Sequence, residues 1–411
     1  YGVSIRSDSH SILDEQTYTV DSTIRYDESN PRSTDKTAAT NEFASAKGDA
    51  TYLSRADNFA NYAKATAAPA SMSMSDTDKA AFLNNANYDP NNYNNASDAM
   101  PTTGAKNGLK LADLRGVAYD DPQWDTLLDQ LTVSDMDTMI ARGGYSTAAA
   151  ASVGKVSTTD CDGPASINNN FTGTASLGFP AATMIAATWN TDLAASFGAS
   201  IGKMANEMNV SGWYAPAMNI HRSAFAGRNF EYYSEDGVLS GKMAANAVEG
   251  AAKSGVYAYI KHFALNDQET NRTNMLCTWS NEQAIREIYL KPFEIAVKEG
   301  QAHAVMSSFN YIGSQWSGAF YPLQTGVLRG EWGFQGFVLT DYYDVFGYMD
   351  ADQAIRGGTD MCLAPMDNET NHLTDTTSAT SSTAARNSCH NILYTVVNSR
   401  AYAPEKLNKG L

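Results

Sequence analysis

Four cysteines in 411 residues are too few for a disulfide scaffold. Cys161, Cys277, Cys362 and Cys389 lie far apart, with no CxxC pair and no Cys/His spacing of a zinc site, so reduced core thiols are expected and no metal. Positive charge is also scarce: 29 Lys and Arg against 45 Asp and Glu leave a formal charge of −16. Without basic clusters, nucleic acid and an anionic membrane are excluded as expected partners, and a neutral or cationic ligand fits better. No apolar run approaches the roughly 18–20 residues of a membrane span. The chain opens YGVSIRSDSH, with neither a Met nor a visible signal peptide. The expectation is therefore a piece of a longer or processed polypeptide, cytoplasmic rather than secreted.

What is present is a core-forming composition, 43% hydrophobic and 10% aromatic. Residues 1–26 alternate apolar and polar positions (Val3, Ile5, then Tyr18, Val20, Ile24), which predicts strands closing a sheet begun elsewhere. From about 27 to 110 the chain is rich in Asn, Ser, Ala and Asp and reads as a linker with short helices. The expected organisation is thus a tail of a preceding β-type domain plus linker over 1–110, and one larger domain over 111–405.

In the second part, Asp121 and Pro122 predict one helix start and Ser134 another, with Gly143 ending that helix. Short β-type runs then alternate with amphipathic helices. The runs are KVSTTD, ATMIAATW, GWYAPAMNI, YAYIKHFALN, HAVMSSFN, FVLTD and GTDMCLA, and the helices include 191–209 and 281–300. Repeated βα units favour a parallel sheet. Seven runs are one short of a (β/α)8 TIM-like barrel, the expected fold class, with one strand irregular or missing.

Polar residues recur where these strands should end: Asp162, His221, Arg228, Lys261, His262, Asn310, Asp341 and Asp360. A closed barrel gathers its strand ends at one mouth, whereas an open sheet gathers only those at its switch point. Each residue also has a plain structural reading. Asp162 in TTDCDGP suits a turn, Arg228 and Glu231 suit a surface ion pair, and Asp341 suits a helix cap. Lys261 and His262 are consecutive and should face opposite sides of a strand, so they serve one ligand only if the strand ends there. In GFVLTDYYD an apolar run delivers Asp341 beside Tyr342 and Tyr343. A rigidly held acid among rings is suited to act as a nucleophile on a sugar carbon.

Three segments in order, GRNFEYYSED (227–236), KHFALNDQETNR (261–272) and GFVLTDYYD (336–344), supported by DGP and GGTDM, resemble the signatures of glycoside hydrolase family 3, the β-glucosidase type. The resemblance runs from about 115 to 400. It implies a retaining exo-glycosidase with Asp341 as nucleophile, and a terminal-sugar site built from Asp162, Arg228, Lys261, His262 and Arg272, with Phe309 and Tyr342 on its wall. It implies no cofactor, a β-glucoside or oligosaccharide substrate, and a general acid/base from a companion α/β sandwich domain, in a missing segment or a second chain. In members with inverted domain order that domain precedes the barrel, which suits the strand-like start. Oligomerisation is left open.

Departures from the family pattern fall on the sugar wall: Asn168 after DGP, Phe309 for a Tyr, and Tyr342 for a Trp. A β-xylosidase is therefore an alternative, as is a barrel that binds sugar without its acid/base. A hexosaminidase would carry a His-containing loop where this chain has ALNDQE. A metal hydrolase using His221, His262 and His303 lacks an HxH pair.

Overall fold

The computed structural model describes residues 1–402 apart from 9, 34, 49–50, 55–56 and 69–70. The expected domain end at 405 lies outside the described residues. At the start, Gly2–Arg6 and Ile12–Thr17 pair antiparallel with each other, and residues 18–26 form no strand. Among the described residues no third strand joins this hairpin, and Val3, Ile5 and Leu13 stay exposed. The polar segment that follows packs on the larger domain at several points, with Leu83 and Asn85 donating backbone N–H groups to the Ser314 and Gly347 carbonyls. Phe43 enters the core against Phe320, Asp35 pairs with Lys298, and Asn94 accepts from Arg356 at 2.9 Å.

The principal sheet has seven strands in the order Met361–Leu363, Phe337–Tyr342, Ala304–Ser307, Tyr257–Phe263, Gly212–Trp213, Thr158–Cys161 and Ser146–Thr147. The first six run parallel and the last is antiparallel. The sheet curls as a TIM-like barrel does, and its two edges meet where the Gly143 N–H donates to the Cys362 carbonyl at 2.9 Å. Glycine is needed at that seam. A Cβ on Gly144 would sit 2.4 Å from Pro365 N, and one on Gly143 2.5 Å from Met361.

Strand alternation sorts side chains between two cores. Ala258, Ile260 and Val338 pack with helices Thr191–Glu207, Gly237–Ala252 and Lys291–Lys298. Tyr257, Tyr259, Phe337 and Leu339 join the other core, where Tyr259 and Phe337 meet edge to face at 5.2 Å. Lys261 and Asp341 follow them in the same alternation, which carries both toward the mouth.

Three further expectations need correction. Residues 182–187 form a helix rather than a strand, consistent with an Ala-rich run burying only Ile185 and Ala186. The seventh strand is instead Ser146–Thr147, too short to be visible as a periodic run. The second helix starts after Thr132, not Ser134: Thr132 and Asp135 form a capping box, and the helix runs Val133–Ala141. Finally, Asp360 precedes the Met361–Leu363 strand, at the end opposite the mouth, because burial beside Arg329 and Asn391 holds it there.

Candidate active site

Asp341 lies near the carboxyl end of Phe337–Tyr342, with only 8% of its surface exposed. The backbone N–H of Tyr342 donates to Oδ1 at 2.7 Å, while Oδ2 is buried without a partner. Burial raises the Asp341 pKa above the usual carboxylate range, although Arg228, Arg272, the Tyr342 N–H and Lys261 all pull it down. Asp267 Oδ1 is likewise buried and unpaired, but Asp341 Oδ2 alone of the two faces His262, with Arg228, Arg272 and Lys261 around it, and that combination points to use by a ligand.

The surrounding groups come from four other strand ends. Lys261, nearly buried, donates from Nζ to Asp162 Oδ1 at 2.8 Å, and the Gly163 N–H donates to the same oxygen. For Asp162, burial pushes the pKa up, but Lys261, Gly163 and Arg228 prevail and hold it below the usual range. The Lys261–His262 peptide bond is cis. Both side chains reach the mouth: His262 Nε2 stands 3.7 Å from Asp341 Oδ2. Burial first, then Arg228, Lys261 and Arg272, push the His262 pKa well down, so the ring is neutral at pH 7.

Arginines complete the ring. Arg228 Nε is bound to Glu231, and its Nη1 lies 4.0 Å from Glu269 Oε2. Arg272 Nη1 pairs with the same Glu269 oxygen at 3.0 Å, and its guanidinium lies 4.8 Å over the Phe309 ring. Glu231 and Glu269 are thus committed to orienting arginines. Phe309 is buried beneath Arg272, while Tyr342 is half-buried beside Asp341.

Several residues take other roles. Tyr343 is buried and donates to the Thr370 carbonyl at 2.6 Å, so it offers no face to a ligand. Asp344 is an exposed loop acid capping the Val345 N–H. Asn310 donates to the Ala264 and Tyr311 carbonyls and braces the exit of Tyr257–Phe263. His221 bonds the Tyr232 carbonyl at 2.9 Å, and His303 precedes Ala304–Ser307 at the far end of the sheet, so the three histidines do not converge. Asp236 caps helix Gly237–Ala252. Asn219 and Tyr232 bond His262, and Asn266 bonds Tyr232 in turn, yet none of the three stands out in the sequence. Their one signal is that they lie within GWYAPAMNI, GRNFEYYSED and KHFALNDQETNR.

Barrel, buried acid and the ring of polar side chains around it together define a glycoside-hydrolase-like site. The chain belongs to glycosyl hydrolase family 3: the model of that family's N-terminal domain matches residues 163–388, more than half of the chain. The chain is similar to beta-glucosidase A of Butyrivibrio fibrisolvens (43% identical over 210 residues, 51% of this chain and 25% of the relative) and to the beta-glucosidase of Ruminococcus albus (36% over 259 residues, 59% and 27%). Among solved structures it resembles beta-glucosidase 3B from Thermotoga neapolitana in complex with α-D-glucose, at TM-score 0.60 and 32% identity, over 70% of this chain and 45% of that one. A beta-glucosidase from Paenibacillus barengoltzii gives TM-score 0.64 and 31% identity over 74% and 36%. The chain spans about a quarter of the length of the two curated relatives.

Proposed function

We propose that this chain is the catalytic barrel of a retaining β-glucosidase acting on terminal non-reducing β-D-glucosyl residues. The observation that carries this reading is Asp341 Oδ2, buried, unpaired and ringed by Lys261, His262, Arg228 and Arg272. In the first step Oδ2 bonds to the anomeric carbon as the bond to the leaving oxygen breaks, and that oxygen takes a proton from the general acid. Water then attacks the same carbon, gives a proton to the resulting base, and releases Asp341. Asp162, Arg228, Lys261, His262 and Arg272 hold sugar hydroxyls, and Phe309 and Tyr342 shape the wall.

Retention needs a second carboxyl group roughly 5–5.5 Å from the first. Both Glu231 and Glu269 are paired with arginines, which favours an acid/base outside the described residues, on a companion domain. The fold reading that accompanies this is a (β/α)8-type barrel with one strand position taken by the Gly143–Gly144 seam. A 2-deoxy-2-fluoro glucoside with a good leaving group tests the assignment. Peptide mapping should place the glycosyl label on Asp341, and Asp341→Ala should lower turnover by at least about 10³-fold. A label elsewhere, with Asp341→Ala still active, would sink it.

A further inference from the structure

His262 is gripped at both its backbone and its ring. The Asn219 amide accepts from the His262 N–H at 2.6 Å and donates to the His262 carbonyl at 2.8 Å, which fixes the main chain. The ring is reached by a separate chain of bonds. Asn266 Nδ2 lies 3.1 Å from Glu269 Oε1 and 2.9 Å from Tyr232 Oη, and Tyr232 Oη lies 2.9 Å from His262 Nδ1.

The direction of each bond follows from the donors available. Turning the Asn266 amide over would set its oxygen against the Glu269 carboxylate, acceptor facing acceptor, so Nδ2 must face Glu269 and its second hydrogen goes to Tyr232. The Tyr232 oxygen then accepts, leaving its one hydrogen for His262 Nδ1. Were Nδ1 the donor instead, the buried Tyr232 hydroxyl would hold an unpaired hydrogen, at the cost of a desolvated and unsatisfied donor. Nδ1 therefore carries no hydrogen. Burial keeps the Tyr232 phenol protonated and the imidazole neutral. The ring's hydrogen is on Nε2, the atom 3.7 Å from Asp341 Oδ2.

We propose that Asn266 and Tyr232 are positioning residues that lock His262 as the Nε2–H tautomer, so that it offers one donor to a sugar hydroxyl bound beside Asp341. The inference rests on the glucosidase reading for the identity of that hydroxyl. The tautomer itself does not. With the wrong tautomer, Nε2 would be a lone pair facing a carboxylate, and a bound hydroxyl would lose its donor. Glu269 thereby serves two elements at once, anchoring Arg272 and setting the orientation of Asn266.

Nitrogen NMR on the full chain labelled with ¹⁵N-histidine, without ligand at pH 7, reads the tautomer directly. The His262 signals, assigned by their loss in His262→Ala, should show an unprotonated Nδ1 and a protonated Nε2. Tyr232→Phe should shift the ring toward a mixture of tautomers. A wild-type ring protonated at Nδ1 overturns the proposal without any variant, and so does a Tyr232→Phe spectrum unchanged from wild type. A double-mutant cycle on 2,4-dinitrophenyl β-glucoside provides the kinetic arm. Tyr232→Phe should lower kcat/KM by about threefold to tenfold in the native background, the worth of one hydrogen bond. In the His262→Ala background it should have almost no effect. Equal losses in both backgrounds would show that Tyr232 does not act through His262. A chain that hydrolyses no glucoside would refute the glucosidase reading and leave the spectra to decide the tautomer.

Discussion

Four aspartates at strand exits and loops meet four environments. Asp162 gains Lys261 and stays ionised, Asp341 turns a free oxygen toward His262 among cations, and Asp360 is buried against Arg329 at the opposite end. Asp267, in the loop after Tyr257–Phe263, has its pKa pushed up to about 7 by burial, which outweighs the opposing pull of Arg222. That folded value lies above the unfolded one, so the stability attached to Asp267 is complete below about pH 4 and is lost as pH rises through about 7. Asp267→Asn should therefore melt higher than wild type, with a gap that widens from pH 5 to pH 8 and flattens beyond. The difference at pH 8 should be on the order of 1–3 kcal/mol, and calorimetry across that range measures it. A gap that narrowed with rising pH would contradict the assignment. None of these differences can be read from the letter D. The motifs single out Asp162 and Asp341, but they also draw in Asp360, whose end of the sheet depends on where its strand begins.

For the strands and helices, most of the parallel units were legible because their apolar runs are long enough to show a period. YAYIKHF and FVLTD are of that kind, and both deliver a candidate site residue by simple alternation from Tyr259 to Lys261 and from Leu339 to Asp341. Lys261 and His262 show where alternation stops being informative, since both reach one mouth. The two-residue strand Ser146–Thr147 carried no periodic signal, and the Ala-rich 182–187 run carried a misleading one. The barrel seam was equally hidden, because Gly143 looked like an ordinary helix terminator. Gly144→Ala places a methyl carbon about 2.5 Å from backbone atoms of Ala364 and Pro365, which cannot rotate away as a side chain would. The variant should lose about 2–3 kcal/mol of stability, measured by urea unfolding. A neutral result would mean that the two edges do not meet at this seam.

At the scale of the whole molecule, the formal charge of −16 is in keeping with the uncharged substrate proposed above. The chain spans about a quarter of the two curated relatives, and the two glutamates nearest Asp341's arginines are already committed. If the acid/base is supplied from elsewhere, this chain alone should cleave 2,4-dinitrophenyl β-glucoside faster than cellobiose by on the order of 10²–10⁴, the usual worth of general acid catalysis. Azide should accelerate turnover and yield a glucosyl azide, because a small anion needs no base to attack the intermediate. Equal rates on both substrates, with no azide product, would place the acid/base within these residues.

The sequence by itself determined which chemistry was available: alternation and ordered motifs bring an acid, two arginines and a Lys–His pair to strand ends, and those features are local. Tertiary structure alone decided which of them face one another. The partner of each charged group, the end of the barrel it occupies and the hydrogen each ring nitrogen carries depend on contacts between segments far apart in the chain, as Asp162 with Lys261 and Tyr232 with His262 show.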